Sequence, residues 1–219
     1  MILGFDTATR STAVAVWAPD GPEVELRDDP RPGARPGHAG RLLALAEEAL
    51  ECAGATWDDV ERLAAGVGPG GFTGLRLGIA TARALAQARR LPVVGVSSLE
   101  ALAAGRADVI AVIDARRGEA FAAAWRDGGR VLEPAALAPD QLARAVWPGV
   151  PAVGDGAVRF RPELERAGAA VPADGSPLHR VSALQVCRLG AAQRPTDRDA
   201  LLPDYRREPD ARPRSPQQP

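Results

Sequence analysis

The chain has 219 residues, 46% of them hydrophobic and 25% charged, and this composition predicts a globular protein rather than a disordered one. The formal net charge is −1, and all 27 basic residues are arginine because the sequence contains no lysine. A protein that binds nucleic acid by itself usually carries a basic surface, so this charge balance argues against that class. Glycine, proline or charged residues interrupt every apolar run before it reaches membrane length, and we expect a cytoplasmic protein.

The first half of the chain alternates strand and helix patterns. Apolar residues at helical spacing predict two helices, at residues 38–53 and 73–89, and Ser97 or Ser98 is expected to cap a further helix. A glycine-rich turn at residues 68–71 stands before the second helix. Apolar runs and alternating patterns predict strands at residues 2–6, 11–17, 23–27, 62–67 and 93–96.

The pattern restarts after residue 105 and repeats the plan of the first half. In both halves an apolar strand ends in aspartate, Asp6 or Asp114, turns sharply, and enters a strand that ends near Trp17 or Trp125. Such self-similarity suggests a duplicated unit. The predicted fold class is α/β, and it resembles the actin-like, sugar-kinase and Hsp70 (ASKHA) superfamily with two ribonuclease-H-like halves. The remaining strands are predicted at residues 109–114, 119–126, 130–132 and 151–153, and the remaining helices at 139–146, 158–167 and 181–194.

These patterns also predict how the chain is divided. The N-terminal half comprises residues 1–104, and the helix at residues 181–194 would complete it. The smaller C-terminal half comprises residues 105–180. Residues 206–219 are rich in arginine and proline and are predicted to form a disordered tail.

In the ASKHA superfamily, the hairpin after the first strand of a half wraps the phosphates of a nucleotide. Such a hairpin needs an aspartate to organise a metal ion and a glycine two residues later, so that backbone N–H groups can approach the anion. Asp6 and Thr7 are followed by Ala8, and Arg116 stands two residues after Asp114, so neither segment has that glycine. We interpret both segments as degenerate phosphate hairpins whose aspartates cap their turns; the alternative is a working ATP site.

A second glycine-rich segment precedes the longest predicted helix. A phosphate-binding loop of the Walker type ends in lysine followed by serine or threonine, and a chain without lysine cannot supply that charge. We therefore interpret the segment as a tight turn, with its threonine placed to cap the helix. Its characteristic residues are Gly68, Pro69, Gly70, Phe72 and Thr73.

Both long helices of the first half are apolar over more of their circumference than one core-facing side needs. In the second, Gly74, Gly78 and Ala82 recur every four residues, and small residues at that spacing let another backbone come close. Two readings stay open: the helices are enclosed within one domain, or they pair with a second molecule. On the second reading, Gly78→Arg abolishes pairing and leaves the monomer folded. The candidate partner-binding residues are Leu42, Leu43, Ala46, Ala49, Leu50, Gly74, Leu75, Gly78, Ile79 and Ala82.

The sequence contains no recognisable catalytic constellation. Its two histidines, His38 and His179, are neither paired nor near a cysteine, which argues against a zinc or iron site. Cys52 and Cys187 lie in apolar helical patterns and are interpreted as small buried hydrophobic residues. We therefore assign no catalytic residue, no metal and no cofactor.

Several segments together resemble the TsaB (YeaZ) family, and they occur in the family's order up to about residue 206. The likeness is strongest around the glycine-rich turn, which is similar to the family's signature turn. Ala39, Ala44 and Gly71 depart from the pattern, since the family usually has Ser, Pro and Ser at these positions. The segments that carry the likeness are residues 1–7, 38–43, 65–78, 92–102, 113–119, 154–157 and 203–206.

The resemblance implies a degenerate ASKHA fold without activity of its own. It implies a non-catalytic subunit required for threonylcarbamoyladenosine modification of tRNA, which forms a heterodimer with a catalytic threonylcarbamoyltransferase paralogue and orders it. A small ATPase subunit would join that pair, a homodimer would be an option for the free chain, and contact with tRNA would be indirect. The alternative is an ATP-dependent small-molecule kinase or ATPase that uses Asp6 and Asp114. A metallopeptidase is excluded by the number of histidines.

Overall fold

The computed structural model describes residues 1–31 and 33–207, which form two mixed β-sheets with helices between and outside them. All but the first two residues of the predicted tail, 206–219, lie outside the described residues. Among the described residues, no helix combines the length and the apolar character that crossing a bilayer requires.

The first sheet consists of an antiparallel meander followed by two parallel strands. Its strands are β1 (Ile2–Asp6), β2 (Thr12–Trp17), β3 (Glu23–Asp28), β4 (Arg62–Gly68) and β5 (Val93–Ser97). They are ordered β3-β2-β1-β4-β5, with β1 antiparallel to β2 and parallel to β4. Because β1, β4 and β5 are parallel, their carboxyl ends meet at one edge of the sheet.

The second sheet repeats this plan with one strand fewer. Its strands are β6 (Val109–Arg116), β7 (Glu119–Arg126), β8 (Gly129–Leu137) and β9 (Ala152–Val153). The order β8-β7-β6-β9 corresponds to β3-β2-β1-β4, and β6 is again antiparallel to its hairpin partner and parallel to the strand on its other side. The predicted α/β fold class with two ribonuclease-H-like halves is confirmed.

Seven α-helices connect and cover these sheets in the part of the chain that the structure describes. They are α1 (His38–Cys52), α2 (Phe72–Arg89), α3 (Ser98–Ala103), α4 (Pro139–Arg144), α5 (Asp155–Arg159), α6 (Arg161–Arg166) and α7 (Ala183–Ala192). The prediction of a single helix at residues 158–167 was wrong. The chain instead breaks at Phe160, and Pro162 lies in the first turn of α6, where the missing N–H of proline is tolerated.

Successive side chains of a strand point to opposite faces of its sheet, and this explains how the helices are layered on the two faces. Leu3 and Phe5 of β1 pack with the apolar sides of α1 and α2, whereas Ile2 packs with Cys187 of α7 on the opposite face. The same cluster as Ile2 contains residues of α3 and of β6, so α3 and α7 lie between the two sheets. A third cluster places α4 and α6 outside the second sheet. Strands covered on both faces are apolar throughout, which is why β1 reads as one continuous hydrophobic run.

The division at residues 1–104 and 105–180 remains a proposal. It is supported by the two sheets, which draw their strands from either side of this boundary, and by the packing of α7 with residues of the first sheet. Helix α7 begins later than predicted because Ser182 caps it, its hydroxyl accepting a hydrogen bond from the Gln185 amide at 3.3 Å. Cys187 is buried as predicted, but Cys52 is exposed, because it ends α1 on the side away from the sheet.

Candidate phosphate hairpins and partner surface

The aspartate of the first hairpin is buried and held by neighbouring groups. Asp6 ends β1, and its Oδ1 accepts a hydrogen bond from the Ala8 amide at 2.8 Å. Its Oδ2 accepts a hydrogen bond from Ser98 Oγ at 2.5 Å. Burial raises the pKa of Asp6, while the hydrogen bonds from Ser98 and Ala8 act in the opposite direction. Asp6 therefore caps its own turn and fixes the first residue of α3.

The signature turn lies directly on this hairpin. Ala8 is only 1% exposed, and its carbonyl accepts a hydrogen bond from the Gly71 amide at 2.7 Å. A Cβ on Gly70 would lie 2.3 Å from the Ala8 carbonyl oxygen and 2.7 Å from the Ala8 Cβ. Such distances are far below van der Waals contact, so only glycine lets the turn approach this closely. The chain itself therefore closes the hairpin.

The prediction that Thr73 caps the second long helix was wrong. Helix α2 begins at Phe72, and the residue in the capping position is Gly71, which has no side chain to accept a hydrogen bond. Thr73 lies within the first turn and is exposed. Gly68 ends β4, and Pro69 follows it before the close contact at Gly70.

The stripe of small residues on α2 serves the fold of this chain. A Cβ on Gly74 would lie 2.1 Å from the carbonyl oxygen of Thr7, and one on Gly78 would lie 2.4 Å from Thr7 Oγ1. Thr7 Oγ1 also donates a hydrogen bond to the Gly74 carbonyl at 2.8 Å. The expectation that Gly78→Arg leaves the monomer folded is therefore corrected, because the new side chain would be driven into Thr7.

His38 joins the start of α1 to the same hairpin. Its Nδ1 lies 2.8 Å from Thr12 Oγ1, and a Cβ on Gly74 would come within 3.2 Å of its Nε2. Burial lowers the pKa of His38 below its ordinary value of 6.5; the negative charge of Asp28 and a hydrogen bond with the Thr9 backbone raise it, but not enough to offset burial. His38 is therefore a neutral packing residue of the hairpin at neutral pH.

This shift predicts a pH dependence of stability. Because the folded pKa lies below 6.5, the unfolded chain binds more protons than the folded chain between the two values. The contribution of His38 is therefore complete above pH 6.5 and is lost as the pH falls from there toward the folded pKa. We expect His38→Gln to flatten the pH dependence of the unfolding free energy over this interval. Urea denaturation of both proteins at about pH 7.5 and about pH 5.5 measures how much the unfolding free energy changes with pH. An equal change in the two proteins would contradict a buried, neutral His38.

The aspartate of the second hairpin is held by ion pairs and is not covered by the signature turn. Asp114 Oδ1 accepts a hydrogen bond from the Arg116 amide at 2.8 Å, so this aspartate also caps its turn. Its Oδ2 lies 3.1 Å from Arg116 Nη1 and 3.0 Å from Arg159 Nη1. The Asp114 amide donates to Asp155 Oδ1 at 3.1 Å, and burial raises the pKa of Asp155. The carboxylate of Asp114 is thus neutralised by arginines of the chain itself.

Residues 1–31 and 33–207 contain no group of three or more His, Cys, Asp or Glu side chains that could hold a metal ion. Asp6 and Asp114, the residues expected to organise a metal in a working site, are each engaged within their own halves.

Most residues proposed to bind a partner lie in the interior. All except Leu43 are buried within the chain, since the apolar arcs of α1 and α2 cover the first sheet and the first hairpin. The prediction of direct contact with a partner is therefore wrong for the buried residues, which are Leu42, Ala46, Ala49, Leu50, Gly74, Leu75, Gly78, Ile79 and Ala82. The sequence reading in which the helices are enclosed within one domain holds for these residues.

The solvent side of α1 and α2 nevertheless has an unusual composition. Its exposed apolar residues include Leu43 and Ala44 on α1 and three alanines on α2, Ala80, Ala84 and Ala88. We call these residues, with the charges beside them, the outer helix surface. Its charges are unevenly divided, because α1 carries Glu47, Glu48 and Glu51 beside a single arginine, Arg41, whereas α2 contains no acidic residue and carries Arg76, Arg83 and Arg89.

Comparison with protein families identifies related proteins. The chain matches, over residues 31–174, the family model described as TsaD: tRNA N6-adenosine threonylcarbamoyltransferase. It is 37% identical over 131 residues to the tRNA threonylcarbamoyladenosine biosynthesis protein TsaB of Escherichia coli, a match that covers 57% of this chain. The chain spans 54% of the length of that curated relative.

Two further similarities extend over nearly the whole chain. An uncharacterized protein of Mycobacterium tuberculosis is 37% identical over 214 residues, which cover 97% of this chain and 94% of that protein. The solved structure of YeaZ from Pseudomonas aeruginosa superposes with a TM-score of 0.74 at 28% identity and covers 93% of this chain and 98% of that one.

Proposed function

The chain belongs to the TsaB (YeaZ) family, and from that premise we propose that it is a non-catalytic subunit required for threonylcarbamoyladenosine modification of tRNA. It binds the catalytic threonylcarbamoyltransferase, a paralogue of related fold, and orders it. The complex acts in the cytoplasm, a small ATPase subunit joins it, and this chain contacts tRNA only indirectly.

The observation that carries the proposal is the state of the two hairpins. In the first, Ala8 is covered by the signature turn and Asp6 is directed to Ser98. In the second, Asp114 is paired with Arg116 and Arg159. A nucleotide-binding hairpin has to present free backbone N–H groups and an aspartate to the phosphates and their metal. In each hairpin the aspartate is engaged within the protein and accepts a hydrogen bond from a backbone N–H of its own turn, that of Ala8 or Arg116, which favours a structural role over phosphoryl chemistry.

The outer helix surface supports a partner of related fold. Two helix pairs that meet across a two-fold or pseudo-two-fold axis directed along the helices place α1 of one molecule against α2 of the other. The three glutamates of α1 and the arginines of α2 are then complementary, and the exposed alanines allow close approach of the helices. The match of this chain to the transferase family model supports a transferase with the corresponding helices as the partner. The same surface would allow a homodimer of the free chain.

The competing function, a small-molecule kinase or ATPase, predicts nucleotide binding by the isolated chain. We expect titration calorimetry with Mg-ATP to give no heat of binding at millimolar nucleotide, because the signature turn closes the first hairpin and arginines pair with the aspartate of the second. The variant Ala8→Gly should behave in the same way, since Gly71 would still donate to the carbonyl of residue 8. Tight binding by the unmodified chain would revive the kinase reading.

Complex formation tests the proposal itself. The chain and the transferase from the same organism are mixed, and native mass spectrometry measures the species that form. We expect a one-to-one heterodimer at micromolar concentration, which replaces any homodimer. Two proteins that remain separate under these conditions would contradict the proposed role.

A further inference from the structure

The last described segment of the chain follows the edge of the first sheet. The Thr196 amide donates a hydrogen bond to the Val93 carbonyl of β5 at 3.0 Å. Farther along, the Asp204 amide donates to the Val67 carbonyl of β4 at 2.8 Å. We call residues 196–207 the C-terminal strap. It passes from one end of β5 to the carboxyl end of β4, the edge at which the first hairpin lies.

The strap is fastened to α2 by arginine side chains. Arg83 Nη2 donates to the carbonyls of Asp199 and Leu201, both at 2.8 Å, and Arg83 Nε donates to Leu201 at 3.1 Å. Leu201 is buried in the cluster beneath α1 and α2. Farther along, Arg76 Nε donates to the hydroxyl of Tyr205 at 2.8 Å. Arg83 and Arg76, both on α2, therefore hold the strap at two places along its length.

A ring contact secures the end of this attachment. Phe72 stacks on Tyr205 with 5.4 Å between ring centroids, and the Arg76 guanidinium lies 3.7 Å from the centre of the Phe72 ring. All three residues are exposed. Contacts of this kind are individually weak at an exposed site, so groups in solution can compete for Arg76.

Two residues beyond Tyr205, the strap reaches the second half. Arg207 Nη1 donates to the carbonyl of Ala115 at 3.0 Å and lies 3.2 Å from Glu119 Oε2. These two residues flank the turn of the second hairpin, in which Arg116 adopts a positive φ of 64°. A two-residue step spans at most about 7 Å, so a displacement of Tyr205 also moves the backbone that carries Arg207.

We propose that the strap couples the outer side of α2 to the second hairpin, residues 114–119, so that whatever displaces Arg76 or Arg83 from the strap loosens that hairpin. Coupling requires a difference in contacts between two states, and a continuous set of contacts can carry it between two sites. The contacts run from α2 through residues 199–205 to Arg207 and the hairpin. A carboxylate that binds Arg76 in place of the Tyr205 hydroxyl creates the second state, in which the strap has lost this contact. The coupling is a property of the free chain and does not depend on the proposed partner.

Hydrogen exchange of the full chain, measured by mass spectrometry, tests the coupling with matched variants. Arg83→Gln detaches the strap at its α2 end, far in sequence from the hairpin. Arg89→Gln removes a charge from the same helix, but Arg89 contacts Asp58 and Trp57 and not the strap. Arg207→Gln detaches the strap at the hairpin itself. Peptides that cover residues 114–121 report on the hairpin, and peptides that cover β1 report on global stability.

We expect Arg83→Gln and Arg207→Gln to increase exchange in residues 114–121 about five-fold or more, the factor that loss of one or two weak contacts gives. Exchange in β1 should not change, and Arg89→Gln should match the unmodified chain at both places. The proposal is overturned if Arg83→Gln leaves the hairpin unchanged, if it raises exchange in β1 equally, or if Arg89→Gln has the same effect on the hairpin.

Discussion

Leu43→Arg is expected to weaken binding of the transferase by about 100-fold or more, which corresponds to about 2.7 kcal/mol. Leu43 is 48% exposed on α1, and it is the one proposed contact residue that the fold leaves free for a partner. An apolar side chain near the centre of an interface typically makes a large contribution, and a charge placed there must lose its water. Isothermal titration with the purified transferase measures the dissociation constant.

The free protein should tolerate this change. Arginine favours the helix about as well as leucine does, and Glu47 lies one turn later on α1, where it can pair with the new charge. The matched control is Val131→Arg, because Val131 is 58% exposed and lies on β8, at the edge of the second sheet. An unchanged affinity for Leu43→Arg, or an equal loss for Val131→Arg, would refute the assignment of the outer helix surface.

Gly74→Ala is expected to reduce the unfolding free energy by about 3 kcal/mol, near the upper end for overpacked sites. The new Cβ would lie 2.1 Å from the Thr7 carbonyl oxygen, which is a backbone atom and cannot rotate away. Relief requires α2 to move from the first hairpin, and this would also lengthen the hydrogen bond from Thr7 Oγ1 to the Gly74 carbonyl. Urea denaturation followed by circular dichroism measures the change.

Gly40→Ala provides the control, since it makes the same substitution in the other long helix. A Cβ on Gly40 would meet nothing within 4 Å, and alanine favours a helix over glycine by about 1 kcal/mol. We therefore expect opposite signs, with Gly40→Ala stabilising the protein and Gly74→Ala destabilising it. Equal behaviour of the two variants would show that the small-residue stripe does not pack on the hairpin as described.

Local patterns in the sequence predict the fold well where the signal is short-range. The aspartate at the end of β1 and the one near the end of β6, each followed by a turn and a second strand, indicated the duplication, and four strands of each sheet follow the same order. Helices α1 and α2 were predicted to within one residue at each end, because each has an uninterrupted apolar arc. The pattern of Val158 and its neighbours did not reveal the break at Phe160, since apolar spacing continues across it.

The function of the small residues on α2 could not be read in the same way. Periodicity shows that Gly74 and Gly78 accept a close neighbour, but not which one. The neighbour is Thr7, 67 residues earlier in the chain than Gly74, and no local signal connects them. An apolar arc likewise does not distinguish a core from an interface, because both exclude water. The two cases are distinguished only by apolar residues that the fold leaves exposed, such as Leu43.

The strap was also missed, for a related physical reason. Its residues form no periodic pattern, and much of its attachment consists of backbone carbonyls that accept hydrogen bonds from Arg83. A carbonyl is present at every residue, so the sequence gives no sign of which ones are used. Arg83 lies on a helix that the sequence predicts, but the carbonyls that it contacts lie more than a hundred residues later in the chain.

The most direct test of the account is a tRNA modification assay in which only this chain is varied. The transferase, the small ATPase, the threonylcarbamoyl donor and tRNA are held constant, and threonylcarbamoyladenosine is measured by mass spectrometry of the digested tRNA. The account predicts no product with this chain in place of the transferase. It also predicts product that rises with added chain up to one equivalent of transferase, and little product with Leu43→Arg. Full modification in the absence of the chain, or modification by the chain without the transferase, would contradict it.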